Sequence, residues 1–320
     1  MLSARDVRGL LALPPTPCLE FTDWWDPEVN SVDLVEATRM ARALVADGVG
    51  GIGLCGTTGE CGALLWPEKA AYFGTVVDAV DGTVPVWCGT TALGTREVVR
   101  QMKAVRDLGG SGALVGLPMW QTPTPANAVR FYADLSEAVP DLPVLVYANS
   151  LFFKFDFGPQ FWTQVCAQAP TVIAAKMGFV TAEHLEAVDG RVALLAGEGG
   201  ALGAMYRLAP QAVTGAWATS AAMGPEPWVA FLDAHARGDV DAARCVIEDI
   251  ESIPLPVPDF AAFAQYNAQM EKARINAAGY MNAGPCRAPY TDLPDDWVQA
   301  AESNGKAWAA LRDKYRGSVK

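Results

Sequence analysis

The sequence predicts an α/β chain folded as a (β/α)8 TIM barrel with a C-terminal helical extension, and three observations predict it. Short apolar, β-rich runs alternate with helix-period segments from residue 8 to about 220, repeating roughly every 25 residues. Eight such runs can be marked, more than an open doubly wound sheet usually holds. Within each run hydrophobicity is continuous rather than alternating, as burial on both faces of a parallel sheet requires.

In order, the strands are expected at Leu10–Leu13, Gly50–Cys55, Val84–Cys88, Ala113–Leu117, Val144–Tyr147, Val172–Lys176, Val192–Ala196 and Ala212–Trp217. The segments between them carry apolar residues at helical spacing. Beyond the eighth strand the pattern turns wholly helical: Pro227–Arg237, Val240–Ile250, Asp259–Ala278 and Asp295–Lys314, punctuated by IPLPVP and GPCRAP. The organisation expected is a catalytic barrel over residues 1–225 and C-terminal helices over 226–320 packed on it. In such a barrel, chemistry gathers where strands end. Those ends read PPTPC, CGTTGE, CGTTAL, LPMWQTP, YANS, KMGF, AGEGG and WATS.

Composition excludes several function classes. A net charge of −12 gives no basic stripe for nucleic acid, and no apolar run approaches a membrane span of roughly 20 residues. The start, MLSARDVRGLLALPPTP, is broken by prolines and lacks a convincing signal-peptidase site, so a cytoplasmic location is expected. Seven cysteines without a CxxC pair fit reduced thiols better than a disulfide framework or a zinc site. With only His184 and His235, both in helical patterns, a Ser-His-Asp triad or a histidine-ligated metal is not expected. The glycines of GVGGIGLCGTTGE fall within the strand, before the turn, and so do not make a dinucleotide fingerprint.

One residue breaks the apolar logic. Among only eight lysines, Lys176 closes the uninterrupted run Val172-Ile173-Ala174-Ala175 at a strand end. Position alone leaves two readings open: a side chain escaping to solvent or pairing with a carboxylate, or a desolvated amine able to attack a ketone. An imine formed there, once protonated, is an electron sink that lets a carbon–carbon bond break without a metal. Tyr147, 29 residues earlier, ends the preceding strand and could shuttle protons if a further hydroxyl holds its own. Gly56-Thr57-Thr58-Gly59-Glu60 after the second strand offers backbone N–H groups and two hydroxyls suited to a carboxylate, or is simply a tight turn. Thr90 and Thr91 form a second hydroxyl pair. Glu60 and Glu198 fall near the mouth by the same strand-end logic; Glu60 is expected to be structural, accepting from its loop or capping the next helix.

GTTGE at strand two, Tyr at the end of strand five and Lys at the end of strand six resemble the dihydrodipicolinate synthase and N-acetylneuraminate lyase superfamily of class I, pyruvate-handling aldolases. That resemblance implies that Lys176 forms the Schiff base, Tyr147 transfers protons, and Thr57 and Thr58 hold the α-keto acid carboxylate. It implies no separate cofactor and a homo-oligomer, typically a tetramer. Departures narrow the reading. Where synthases carry a Tyr-Tyr pair after strand four, this chain has Leu117-Pro118-Met119-Trp120, and the run Tyr147-Ala148-Asn149-Ser150-Leu151-Phe152-Phe153-Lys154 lacks their arginine.

Those departures are similar to the hydratase-aldolases of polycyclic aromatic hydrocarbon catabolism, the branch typified by the trans-o-hydroxybenzylidenepyruvate and trans-2'-carboxybenzalpyruvate enzymes. The likeness runs nearly end to end through CGTTALGTREVVRQ, GLPMW, YAN with FKFDF and FW, GAW and AAMGP, YN with EKAR, AGPCRAPY and GKAWAALRDKY. One difference is Thr58, where the hydroxybenzylidene type tends to have Phe.

The branch implies hydration and retro-aldol cleavage of an ortho-substituted trans-benzalpyruvate, with Trp120, Asn149, Trp217 and Asn267 binding substrate. Lys154, Arg274 and Arg287 are candidate cations for an ortho carboxylate. Another pyruvate-dependent aldolase or lyase of the superfamily, or a barrel that binds keto acids without turnover, stays open on sequence alone.

Overall fold

The computed structural model describes residues 1–317 other than 21, 22 and 24. Eight parallel strands close into a barrel in chain order: β1 (Gly9–Ala12), β2 (Gly51–Leu54), β3 (Val86–Gly89), β4 (Gly112–Val115), β5 (Val144–Ala148), β6 (Val172–Met177), β7 (Ala193–Gly197) and β8 (Gly215–Ala218). The helices are α1 (Leu34–Ala46), α2 (Trp66–Val80), α3 (Thr95–Asp107), α4 (Pro125–Ala138), α5 (Ser150–Phe153), α6 (Pro159–Gln168), α7 (Ala182–Val188), α8 (Gly200–Leu208), α9 (Glu226–Ala236), α10 (Val240–Glu251), α11 (Phe263–Ala278) and α12 (Asp295–Tyr315). Nearly every strand residue is buried, which is why the strands read as unbroken apolar runs.

Two expected elements are adjusted. The eighth strand begins at Gly215 rather than Ala212, because Pro210–Ala212 curls into a 3-10 turn that a proline at its start favours. The segment expected to be helical from Asp259 enters through the 3-10 turn Phe260–Ala262 before α11 proper. The short α5 is unexpected; it forms because the Asn149 carboxamide oxygen accepts from the N–H groups of Leu151 and Phe152, at 3.1 and 3.2 Å.

Local capping sets the other boundaries. Asp33 caps α1 through Glu36 N (2.9 Å), and Thr124, followed by Pro125, caps α4 through Asn127 N (3.2 Å). The Glu68 carboxylate returns to Leu65 N at 2.8 Å to open α2 and also takes Ser31 N at 2.9 Å, tying two loops together.

The last two helices are fastened to the C-terminal end of the barrel. α11 and α12 approach so closely that a Cβ on Gly305 would lie 2.2 Å from the Arg274 carbonyl oxygen. Along α11, Asn267 reaches the turn after β2, Lys272 pairs with Glu60, and Arg274 pairs with Glu198 after β7. The helix therefore ties the turn after β2 to the turn after β7. Among the described residues, no helix is long and apolar enough to cross a membrane.

Candidate active site

Strand register brings the first two candidates together. Tyr147 and Lys176 are paired residues of β5 and β6, and residues paired across a parallel ladder project from the same face of the sheet. Lys176 is only 7% exposed, with Nζ 4.1 Å from the centre of the Tyr147 ring and 3.6 Å from that of Trp217. Burial among these rings pulls its pKa below the ordinary lysine value, against the opposing influence of Tyr147, Glu198 and Glu271.

Both aromatic walls are locked by neighbours. Trp217 donates from Nε1 to the Met177 carbonyl at 2.6 Å, and its indole fills the space a side chain on Gly197 would need, since a Cβ there would sit 2.7 Å from the ring. Tyr147 meets the edge of Phe153 at 5.2 Å and 84°, and Phe153 in turn lies over Gly116, where a Cβ would come within 1.9 Å of the ring.

Tyr147 Oη lies 2.8 Å from Thr57 Oγ1, the further hydroxyl that a proton shuttle needs. Thr58 faces elsewhere: its hydroxyl donates to Asn267 Oδ1 at 3.4 Å, from α11. Glu60 neither caps α2 nor accepts from its own loop. Its buried carboxylate takes Arg287 N and Nη1, both at 2.6 Å, and Lys272 Nζ at 2.7 Å.

Two chambers meet at this point. The larger, of about 620 Å³, contains Thr58, Asn149, Lys176 and Trp217, with Phe179, Leu255 and Phe263 towards its rim. The smaller, of about 330 Å³, contains Thr57, Cys61, Thr91 and Met119. Tyr147, Phe152 and Asn267 line both and form the partition between them.

Trp120 is not brought in. It is 82% exposed on the segment after β4 and lines neither chamber, whereas the adjacent Met119 lines the smaller one. Of the three cations singled out from sequence, two are placed elsewhere, Arg287 sealed against Glu60 and Lys154 exposed at the end of α5, whereas Arg274 lines the larger chamber.

Sequence reasoning named Glu198 and Arg274 singly but missed Glu271 and the cluster the three form in the large chamber. Glu271 and Glu198 converge there on Arg274, with Arg274 Nε and Nη2 donating to Glu271 at 2.8 and 2.9 Å and Nη2 to Glu198 at 3.2 Å. Glu198 also accepts from Thr219 N and Ser220 N, at 3.2 and 2.9 Å. Burial pushes the Glu271 carboxyl up to about 7 despite Arg274, and the Glu198 charge adds to the rise. The available signal was the spacing of Asn267, Glu271 and Arg274, which places three polar side chains on one face of α11.

Residues 27–307 match the Dihydrodipicolinate synthetase family. The chain belongs to that family. Its relatives include a trans-O-hydroxybenzylidenepyruvate hydratase-aldolase of Pseudomonas putida, 40% identical over 323 residues that cover 98% of this chain and 96% of the relative. A trans-2'-carboxybenzalpyruvate hydratase-aldolase of Nocardioides sp. (strain KP7) is 35% identical, with 98% and 96% covered. Among solved structures, PhdJ bound to substrate intermediate superposes with a TM-score of 0.92 at 36% identity, covering 98% of this chain and 99% of that one. The closed barrel and its helical extension are thus shared by this member of the dihydrodipicolinate synthetase family and a solved relative at full length.

Proposed function

We propose that the protein is a lyase, a hydratase-aldolase of the class I type that converts an ortho-substituted trans-benzalpyruvate, water-dependently, to an aromatic aldehyde and pyruvate in polycyclic aromatic hydrocarbon catabolism. The observation that carries this reading is the buried Lys176 amine, held between Tyr147 and Trp217 in a chamber of about 620 Å³. That volume suits an aryl keto acid and far exceeds what pyruvate alone fills. The full-length relatives named for this reaction support it further.

In this reading Lys176 Nζ attacks the substrate ketone, and loss of water from the carbinolamine leaves an iminium conjugated with the alkene. Water adds at the benzylic carbon, the β-position of that conjugated system, and the α-carbon gains a proton through the enamine. Tyr147, backed by Thr57, takes the proton from the new benzylic hydroxyl; the carbon–carbon bond breaks, releasing the aldehyde and leaving its electron pair in the pyruvate enamine. Protonation and hydrolysis return the free amine and pyruvate. The imine is the electron sink, so no further cofactor is called upon. Thr58 with the turn N–H groups holds the keto acid carboxylate, and Asn149 and Asn267 present carboxamides to the added water or hydroxyl. Trp217 forms an aryl wall, with Phe179 and Phe263 in the place that sequence gave to Trp120.

Incubation with pyruvate and sodium borohydride tests the reading. A reduced adduct located by mass spectrometry on Lys176 is expected; an adduct on another lysine, or none, would overturn it. Tyr147→Phe is expected to lower kcat by about 10²–10³-fold with little change in KM, the range of one positioned acid–base group. Steady-state kinetics that show only a raised KM would remove the proton-transfer role. Gly197→Ala, which forces the Trp217 indole off its 2.6 Å bond to Met177 O, is expected to reduce kcat/KM by about tenfold or more through displaced Lys176 geometry.

A further inference from the structure

The smaller chamber is bordered by a thiol–amine pair that the proposed reaction does not use. Cys61, half-buried directly after the GTTGE turn, lines that chamber together with Thr57 and Tyr147. Its sulfur lies 3.2 Å from Lys69 Nζ and 3.7 Å from the Thr91 carbonyl oxygen. Lys69 is 5% exposed, and among the described residues the Cys61 sulfur is the one hydrogen-bond partner of its amine.

Packing alone gives no reason for a lysine here. It sits in the first turn of α2, where the helix dipole disfavours a cation. A buried ammonium also needs a counter-charge, yet the carboxylates on hand are taken. Glu68 serves Leu65 N and Ser31, and Glu97, which feels the Lys69 charge, is held by Arg100 and Gln101. That leaves the sulfur. As thiolate and ammonium the pair supplies each ion with its partner; as thiol and amine it sets a nucleophilic nitrogen against the sulfur.

The other cysteines lack this setting. Burial pushes the thiols of Cys18, Cys55, Cys88, Cys166 and Cys286 up, and Cys245, exposed on α10, has no hydrogen-bonded amine among the described residues. Met119 and Tyr290, both exposed, lie at the rim of the smaller chamber and leave a small molecule a route to Cys61.

We propose that Cys61 and Lys69 form an oxidation-sensitive pair that a hydroperoxide closes into a sulfur–nitrogen bond, pinning the turn after β2 to α2 and slowing turnover. The Cys61 thiolate attacks the distal peroxide oxygen; the O–O bond breaks, the sulfur is oxidised to a sulfenic acid, and the peroxide is reduced to its alcohol, taking a proton from the Lys69 ammonium. The freed amine then attacks the sulfur, the S–O bond breaks, and the departing hydroxide leaves as water with a proton from nitrogen. Thiolate, ammonium and hydroperoxide thus give a sulfenamide, one alcohol and one water. Closing the 3.2 Å gap draws Cys61 towards α2, and with it the turn whose Thr57 holds Tyr147 Oη at 2.8 Å.

The test treats the whole protein with a small molar excess of hydrogen peroxide and reads the tryptic peptides by mass spectrometry. Residues 43–69 form one peptide ending at Lys69. A consumed Lys69 amine blocks that cut, so the expected product is a peptide of residues 43–96, lighter by two hydrogens and restored by dithiothreitol. A disulfide between Cys55 and Cys61 loses the same two hydrogens but leaves the cut at Lys69 intact; finding it, or finding Cys61 unmodified, would overturn the proposal. Lys69→Arg, which keeps the charge without the amine, is expected to stop at the sulfenic acid and be trapped by dimedone; no trapped acid would count against the pair. The slowing rests on the reaction proposed above, whereas the bridge does not. Turnover of a benzalpyruvate is expected to fall about tenfold or more on oxidation and to recover with dithiothreitol, while Cys61→Ser keeps its own rate through peroxide treatment. A bridged enzyme of unchanged rate would overturn the slowing. Untreated protein without turnover would sink that reaction and the slowing together, and the bridge would stand or fall on the wild-type peptide.

Discussion

Lys176→Met is expected to abolish turnover, by at least about 10⁴-fold, and to do so in a protein no less stable than the wild type. The two halves of that result share one cause. In the unfolded chain this lysine titrates at the ordinary value of about 10.5, whereas burial lowers the value in the folded state. A depressed lysine opposes folding most strongly below its folded pKa, where the native state must accommodate an ammonium that water would solvate better; that opposition fades as pH rises towards 10.5.

Methionine fills the same channel beside Tyr147 and Trp217 without the charge, so its Tm is expected to exceed that of the wild type by a few degrees at pH 7. The gap is expected to narrow as pH rises to 10. The rate of borohydride-trapped adduct formation with pyruvate is likewise expected to rise with pH to a midpoint below 10.5, because only the free amine attacks. Calorimetry showing a marked loss of stability at pH 7 would contradict the account of Lys176 as a residue held at a thermodynamic disadvantage for its chemistry. An alanine variant leaves a cavity and would confuse the two effects.

Arg287→Met carries the largest expected effect on stability, about 3–5 kcal/mol, from the removal of one member of a buried ion cluster. All five N–H groups of the Arg287 guanidinium are used: Nε on Ser31 Oγ at 2.7 Å, Nη1 on Glu60 Oε2 at 2.6 Å and on Thr16 O at 3.2 Å, and Nη2 on Pro17 O at 3.0 Å and Ser31 O at 3.1 Å. Its own N–H reaches Glu60 as well. Without the fork, the Glu60 carboxylate keeps Lys272 and loses half its compensation, and three buried carbonyl oxygens lose a donor.

Because Glu60 closes the turn that carries Thr57 and Thr58, the same variant is expected to weaken keto acid binding as well as folding. Urea unfolding with an unchanged m value measures the first effect, and KM for pyruvate adduct formation the second. Arg287→Lys is expected to recover only part of the loss, since an ammonium cannot reproduce the planar fork. A loss below about 1 kcal/mol would mean that the cluster fastens nothing.

The candidate amine, phenol and turn were legible because their signals are local. An amine at the end of Val172-Ile173-Ala174-Ala175, a phenol at the end of the preceding apolar run and a GTTGE turn after the second run are each visible within a few residues. Continuous hydrophobicity gave eight buried strands for the same reason, and they close in chain order. Their edges slipped by one to three residues where backbone geometry intervened, as at Pro210–Ala212.

Closure of the ring decided the rest. The β5–β6 register alone sets Tyr147 beside Lys176, and the fold, not the GTTGE motif, sends Thr57 to Tyr147 and Thr58 to Asn267. Helical spacing made α11 a polar-faced helix but could not say what that face meets, so the Glu198–Arg274–Glu271 cluster stayed invisible until residues 76 apart in sequence met. Arg287 looked like an available cation and is a sealed clamp formed with Glu60, 227 residues away. Trp120 looked like an aryl wall and stands in solvent. A sequence specifies which chemical groups a chain owns and which segments must be buried. The partners that use up a charge, and the direction in which a ring faces, are set by contacts between distant segments, and those exist only once the chain has folded.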